Sequence, residues 1–188
     1  MATQNQGGDA GKGPQFTDVE TLRKRARLNI EQGAITPSYG GDRDAVCQVL
    51  NVALATEIVC VLRYKRHYFM AQGLASEAVK EEFKQHASEE QEHADRIAER
   101  IVQLGGEPDL NPAVLAPRSH SEYVEGKSLL DMIREDLVAE RIAIDSYREI
   151  IQWLEGKDST TQQMMKDILA VEEEHAEDMS SLLMGMKG

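Results

Sequence analysis

The chain has 188 residues and 41% of them are hydrophobic, which is enough for one domain with a sizeable core. It has no uninterrupted run of eighteen apolar residues and no apolar segment near the N-terminus, so we expect neither a transmembrane helix nor a secretory signal. Two cysteines cannot build a disulfide framework or a four-cysteine metal site, and we expect a cytoplasmic protein. The net charge of -12 argues against a general nucleic-acid binder and suits a protein that attracts cations.

Residues 1–42 are predicted to form a flexible tail followed by a short helical arm. Residues 1–15 are rich in Gly, Gln and Asp and contain almost nothing apolar, which is typical of disorder. Thr17 and Glu20 have the spacing of a capping box, and the helix that they open is expected to end near Gln32. Glycines and a proline between residues 33 and 42 then indicate a loop.

Residues 43–188 are predicted to form an all-α four-helix bundle. Apolar residues recur at steps of three and four in four segments, each of roughly 25 to 30 residues. Short links near Gly73 and Gly156 join antiparallel neighbours. The link at residues 105–127 contains three prolines and is long enough to cross the bundle from end to end. This pattern predicts an up-down-down-up bundle with one long crossover.

Each of the four apolar faces is interrupted at mid-height by an acid, and two of them also by a histidine. Burying one unpaired carboxylate costs several kcal/mol, and four at one level repel one another. Two divalent cations would balance four carboxylates, and two neutral imidazoles would complete the ligand shell. The Glu-x-x-His spacing places both side chains on one helical face. We therefore predict a metal site formed by Glu57, Glu90, His93, Glu140, Glu172 and His175, for which the residue types alone do not separate iron from manganese or zinc.

Three further side chains share these faces. Tyr64 and Tyr147 lie one helical repeat beyond Glu57 and Glu140. We expect Tyr64 to donate a hydrogen bond near a ligand, whereas for Tyr147 this role and core packing are equally compatible with the sequence. His86 lies two turns before His93, where it would be a ligand to a third metal ion or lie on the path by which metal enters; we favour a hydrogen-bonded histidine at the bundle wall.

The order Glu57…Tyr64, Glu90-x-x-His93, Glu140, Glu172-x-x-His175 resembles the pattern of the bacterioferritins and related ferritin-like proteins, over about residues 42–183. The resemblance implies two iron ions per subunit, bridged by Glu90 and Glu172. Glu57 and Glu140 would be terminal ligands, and His93 and His175 would each cap one iron. It also implies a ferroxidase that oxidises Fe(II) with O2 or H2O2 and stores or detoxifies iron as ferric mineral inside a hollow homo-oligomeric shell.

The sequence departs from this pattern at two places. Gln91 stands where many bacterioferritins have a haem-binding methionine, which argues against haem. Only thirteen residues follow His175, so we do not expect the fifth helix of 24-subunit ferritins. A short C-terminus and a helical arm look more like the twelve-subunit Dps-like cages, although the usual Dps proteins place their ligands between subunits. We therefore predict a Dps-like dodecamer with a bacterioferritin-type site inside each subunit.

Two alternative functions remain open from the sequence. The basic residues between Arg23 and Arg27 would bind DNA in a Dps-like protein that protects DNA and detoxifies peroxide, or would dock on an acidic neighbouring subunit, which we favour. A di-manganese catalase-like enzyme that does not form a cage would use the same ligand types.

Overall fold

The computed structural model describes residues 15–73 and 76–186. The chain divides into two units between Pro37 and Ser38. The predicted flexible tail falls almost entirely on residues 1–14, which lie outside the described residues. The described part of the first unit contains helix α1, Val19–Arg25, and one turn of 3-10 helix, Ile30–Gln32.

The prediction of a single helix from the capping box to Gln32 was wrong in two respects. Helix α1 begins one residue later, because Asp18 rather than Thr17 is its N-cap and accepts a hydrogen bond from the Thr21 backbone N–H at 2.9 Å. The helix also ends early, at Arg25. Asn29 has a left-handed φ of 51°, which a right-handed helix cannot contain, and it separates α1 from the 3-10 turn.

The second unit is the predicted four-helix bundle. Its long helices are α2, Arg43–Met70; α3, Ser76–Gln103; α5, Leu129–Leu154; and α6, Ser159–Gly185. Asp42, Ser128 and Asp158 cap the first turns of α2, α5 and α6 by accepting hydrogen bonds from backbone N–H groups. Helix α2 packs most extensively on α3, and α5 on α6.

Contacts between the helices establish their directions. Tyr64 of α2 reaches Glu140 of α5, whereas Glu57 reaches Tyr147. On α3, Arg100 contacts Thr161 of α6, whereas Glu89 contacts His175. In both pairs the residue numbers fall on one helix as they rise on the other, so the pairs are antiparallel. Because α2 and α3 are antiparallel as well, the predicted up-down-down-up order is confirmed.

The crossover between α3 and α5 differs from the predicted loop because it contains a short helix, α4, Pro112–Arg118. Polar side chains along α2 hold the crossover in place. Asn51 bonds to the backbone of Glu107 and Asp109, and Thr56 accepts a hydrogen bond from the His120 N–H. Further along, Arg63 donates to the Glu122 carbonyl. The crossover therefore runs beside α2 for most of the length of that helix.

Helix α2 is the most apolar element among the described residues. By length and composition alone it meets the criteria for a membrane-spanning helix, with a mean hydropathy of 2.0 over its most apolar window. Within the fold, 56% of that window is buried. A buried core helix meets the same criteria, so this finding is only weak evidence for a membrane span.

Candidate metal centre

The four long helices bring all six predicted ligands to one level of the bundle, where each is buried. Helices α2 and α5 contribute one glutamate each, and α3 and α6 contribute one Glu-x-x-His pair each. Along each helix these residues take positions in the buried apolar face. The buried Ile97 follows His93 on α3, the buried Ile144 follows Glu140 on α5, and the buried Ile168 precedes Glu172 on α6. The same helical periodicity that builds the core therefore points the polar groups inward. The six are Glu57, Glu90, His93, Glu140, Glu172 and His175.

The six residues form two overlapping sets of possible ligands. The first set comprises Glu57, Glu90, His93 and Glu172, and the second comprises Glu90, Glu140, Glu172 and His175. Within each set every residue offers one oxygen or nitrogen within 4.8 Å of the others. Glu90 and Glu172 belong to both sets. This geometry would allow two metal ions side by side, with Glu90 and Glu172 between them and one glutamate and one histidine at each end.

Both histidines direct Nδ1 toward the carboxylates. His93 Nδ1 lies 2.9 Å from Glu172 Oε1 and 3.4 Å from Glu90 Oε2. His175 Nδ1 lies 3.6 Å from Glu90 Oε1 and also 3.6 Å from Glu172 Oε2. The longer separations leave room for a cation between the rings and the carboxylates.

Unpartnered polar atoms concentrate in this centre. Nine buried side-chain nitrogen or oxygen atoms of the described residues have no hydrogen-bond partner, and seven of them belong to the six residues. These are Glu57 Oε2, Glu90 Oε1, His93 Nδ1, Glu140 Oε2, both oxygens of Glu172, and His175 Nδ1. An unsatisfied buried polar atom costs about 1–3 kcal/mol, so a cluster of seven needs an explanation. Oxygen and imidazole nitrogen are donors that iron, manganese and zinc accept, and the residues present therefore fit a pair of such ions.

Without metal, the surroundings of the centre raise the pKa of four of its groups. Burial, followed by the nearby Glu172 and Glu90, raises the pKa of Glu57 well above its usual range. Burial, with Glu90 and Glu172 close by, does the same to the pKa of Glu140. Burial disfavours a charged His175 ring, but the neighbouring carboxylates of Glu172 and Glu90 outweigh it and raise the pKa of His175 to about 12. The pKa of His93 is raised against the same burial by Glu172, Glu57 and Glu90.

Two tyrosines hold the terminal glutamates across the bundle. The Tyr64 hydroxyl on α2 donates to Glu140 Oε1 on α5, and the Tyr147 hydroxyl on α5 donates to Glu57 Oε1 on α2. Each glutamate therefore keeps its other oxygen, Oε2, free for the centre. Tyr64 occupies the position expected from the sequence, and Tyr147, for which two roles were open, has the matching contact.

One contact of the centre was missed by the sequence reasoning. Glu89 Oε2 lies 2.8 Å from His175 Nε2, the ring nitrogen that faces away from the carboxylates. Such an outer contact fixes the tautomer and orientation of a metal-binding imidazole. In the sequence, Glu89 is distinguished only by its position directly before Glu90. Acidic residues are so common on this helix that this position alone does not predict a contact with His175.

Comparison with known proteins identifies the family. The ferritin-like domain matches residues 47–187. A bacterioferritin from Mycobacterium leprae is 30% identical over 151 residues, covering 79% of this chain and 90% of that protein. A DNA protection during starvation protein from Pyrococcus furiosus is 32% identical over 149 residues, covering 78% of this chain and 80% of that protein.

A solved structure agrees with these matches. It is that of a dodecameric thioferritin, the bacterioferritin-related protein of Bacteroides fragilis, with a TM-score of 0.75 and 33% identity, and it covers 79% of this chain and 89% of that one. The family match includes α2 from Cys47 onward, the whole of the other three long helices and every residue of the centre. The chain thus belongs to the ferritin-like family of iron-storage and Dps-type proteins, among which it is related to the bacterioferritins.

Proposed function

We propose that this protein is a ferroxidase, which oxidises Fe(II) with O2 or H2O2 at a di-iron site within each subunit and stores or detoxifies the product as ferric mineral. The observation that carries the proposal is the pair of overlapping ligand sets, in which Glu90 and Glu172 are common to both. The seven unpartnered atoms support it further, because two divalent cations would satisfy all of them.

The side chains of the centre would have distinct roles. Tyr147 and Tyr64 each hold one oxygen of Glu57 and Glu140, which leaves a single oxygen of each carboxylate to bind an ion. Glu89 holds the outer nitrogen of His175, so that Nδ1 faces the carboxylates. The surrounding apolar layers exclude water and limit access to the centre.

Two Fe(II) ions bound together supply two electrons at once, which reduce H2O2 and two protons to two water molecules, or O2 and two protons to H2O2. A paired two-electron step avoids release of a one-electron radical, which suits a protein that acts under oxidative stress. The contribution of the chain is to fix the geometry of the ions and to balance their charge.

The proposal includes a cytoplasmic homo-oligomer, and we favour twelve subunits over twenty-four. The B. fragilis relative is described as dodecameric, and this chain covers 89% of it. Many acidic residues on the walls of a shell would attract Fe(II) toward its interior.

An anaerobic Fe(II) titration followed by addition of O2 or H2O2 tests the ferroxidase. We expect a fast phase of ferric near-ultraviolet absorbance that saturates at about two irons per chain, as the two ligand sets require. Glu90→Ala should abolish it, because Glu90 belongs to both sets. The matched controls are Glu92→Gln and Glu174→Gln, which change exposed acids within the same two Glu-x-x-His segments and should leave it intact.

Three results would contradict the proposal. These are the absence of a fast phase, its survival in Glu90→Ala, and its loss in the two controls. A centre that instead turned over H2O2 only when loaded with manganese would identify a catalase-like enzyme. Slow continued uptake of hundreds of irons per particle is the further result expected of a storage shell.

A second function, DNA protection, is favoured by one relative and one segment. The P. furiosus relative is named for DNA protection, and the basic residues Arg23, Lys24, Arg25 and Arg27 are exposed on and just after α1. A DNA mobility-shift assay with these four residues changed to glutamine tests it. Salt-sensitive binding that the variant loses would support it, and no binding even at low salt would exclude it.

A further inference from the structure

A second group of metal-binding side chains lies between the candidate centre and solvent. It consists of Glu82 and His86 on α3 and Asp178 on α6, each offering a ligand atom within 4.8 Å of the others. His86 Nε2 lies 3.8 Å from Glu82 Oε2 and 3.6 Å from Asp178 Oδ2. None of the three belongs to the two ligand sets of the centre.

The His86 ring points a free nitrogen at the two carboxylates. Its side chain is only 1% exposed, and Nε2 is one of the buried atoms without a hydrogen-bond partner. Its other nitrogen, Nδ1, lies 3.2 Å from the Tyr64 hydroxyl oxygen. Because that hydroxyl donates its hydrogen to Glu140, its oxygen accepts from Nδ1–H. A neutral His86 ring therefore has its lone pair on Nε2, facing two acids that offer no hydrogen.

We propose that Glu82, His86 and Asp178 bind a third divalent cation, outside the dinuclear centre. A cation would accept the lone pair and neutralise the two acids at the same time. Imidazole nitrogens and carboxylate oxygens lie about 2.0–2.2 Å from a bound first-row metal, which places neighbouring ligand atoms about 3.0–3.4 Å apart. The observed separations exceed this by a few tenths of an ångström, and the two half-exposed carboxylates can close that gap by side-chain rotation.

The position of this outer site connects it to the centre. The His86 and His175 rings stack with centroids 3.9 Å apart, and His86, Glu89 and His175 form a further possible ligand group. Exposure falls along this path, from 54% for the Asp178 side chain and 39% for Glu82 to 2% for His175. We assign the outer site the role of holding Fe(II) before it enters the half of the centre that contains His175. This role rests on the proposed ferroxidase function, whereas binding at the outer site does not.

Anaerobic Co(II) titration of the full chain tests the site, with bound metal counted by equilibrium dialysis and the visible absorption of Co(II) recorded. We expect three Co(II) per chain in the wild type and two in the double variant Glu82→Gln/Asp178→Asn. The matched control, Glu81→Gln/Glu177→Gln, removes two exposed acids from the adjacent positions and should retain three. Two Co(II) in the wild type, or three in the double variant, would overturn the site.

A variant of the dinuclear centre separates this proposal from the ferroxidase. In Glu57→Gln/Glu140→Gln we expect one Co(II) per chain to remain, bound at His86, and its loss would overturn an independent outer site. If the wild type bound three Co(II) but did not oxidise Fe(II), the outer site would stand and the proposed function would fail. In an active protein, Glu82→Gln/Asp178→Asn should slow the fast phase about tenfold at limiting Fe(II), and an unchanged rate would exclude the holding role.

Discussion

At the scale of single residues, two glutamates of the centre each have one oxygen in a hydrogen bond and one oxygen without a partner. Glu57 and Glu140 each give one oxygen to a tyrosine on the opposite helix and keep the other unpartnered. Each of α2 and α5 therefore contributes one tyrosine and one glutamate to this pair of contacts, which gives the centre an approximate twofold symmetry. A ligand oriented before metal arrives loses less side-chain entropy on binding.

The first prediction concerns Tyr147. Tyr147→Phe removes the hydroxyl that orients Glu57 and leaves a second oxygen of that buried carboxylate unpartnered. Loss of such an outer contact typically weakens metal binding about 10–100-fold, so we expect this loss for one of the two ions of the centre. Co(II) titration measures it. Tyr123→Phe is the control, because Tyr123 is 45% exposed and lies outside the centre, and equal affinities of the two variants would contradict the prediction.

The second prediction concerns protons. In the metal-free protein the pKa values of Glu57, Glu140, His93 and His175 are all raised, so each group holds its proton more tightly than it would in water. Metal ligation requires charged carboxylates and neutral imidazoles, so filling the centre should release protons. Metal affinity must then rise with pH and fall as the solution becomes more acidic.

Calorimetric titration of Co(II) in buffers with different ionisation enthalpies counts these protons. Glu82→Gln/Asp178→Asn provides the background, since in this variant the proposed outer site is removed while the centre is intact. Release of fewer than one proton per chain would contradict the raised pKa values of the four groups.

At the scale of elements, α2 organises the fold through polar groups as much as through apolar ones. Arg63 is fully buried and donates from Nε to Asp136 Oδ1 on α5 at 2.8 Å, and His67 Nδ1 lies 2.8 Å from the other oxygen of Asp136. Arg63 and His67 also contact carbonyl oxygens of the crossover, at Glu122 and Val124. This buried network joins α2, α5 and the crossover at one end of the bundle.

The third prediction is that Asp136→Ala destabilises the fold strongly. The substitution leaves the Arg63 guanidinium buried without its carboxylate, and breaking a buried ion pair in this way typically costs about 3–5 kcal/mol. Chemical denaturation of metal-free protein measures the loss. Asp167→Ala breaks the exposed pair with Arg96, 3.4 Å apart, and should cost less than about 1 kcal/mol. Similar losses in both variants would contradict the assignment of the network.

The elements also show what the sequence could predict. The four long helices were predictable because each repeats its apolar face over about seven turns, and the six proposed ligands were conspicuous because they break those faces. Helix α4 was not predictable from the sequence, because its seven residues include Pro112 and Pro117 and show no apolar periodicity. The helix is instead anchored by packing of the buried Leu115. The Arg63–Asp136 pair was missed for a related reason, since single charges on long helices are normally exposed.

At the scale of the whole molecule, the bundle exposes apolar surface that an assembly would cover. The side chains of Leu62 and Phe69 are 51% and 74% exposed, and the two residues are seven positions apart on α2, so they lie on one stripe. Tyr68 and Phe69 line a surface pocket together with Ala87 of α3. Apolar surface of this kind marks an interaction site more often than a solvated face, and in a homo-oligomer the covering surface is a second copy of the chain.

The fourth prediction follows from this stripe and from the proposed dodecamer. Twelve chains of 21.0 kDa give a particle of about 250 kDa. Phe69→Asp places a charge in the stripe, where burial against a second copy would leave it unpaired, so we expect sedimentation to show much smaller species. Phe69→Leu keeps the surface apolar and should assemble. A particle of unchanged size in Phe69→Asp would place the subunit contact elsewhere on the bundle. Because the proposed di-iron ligands all lie within one chain, a dissociated Phe69→Asp variant of a ferroxidase should retain the fast oxidation phase while losing mineral storage.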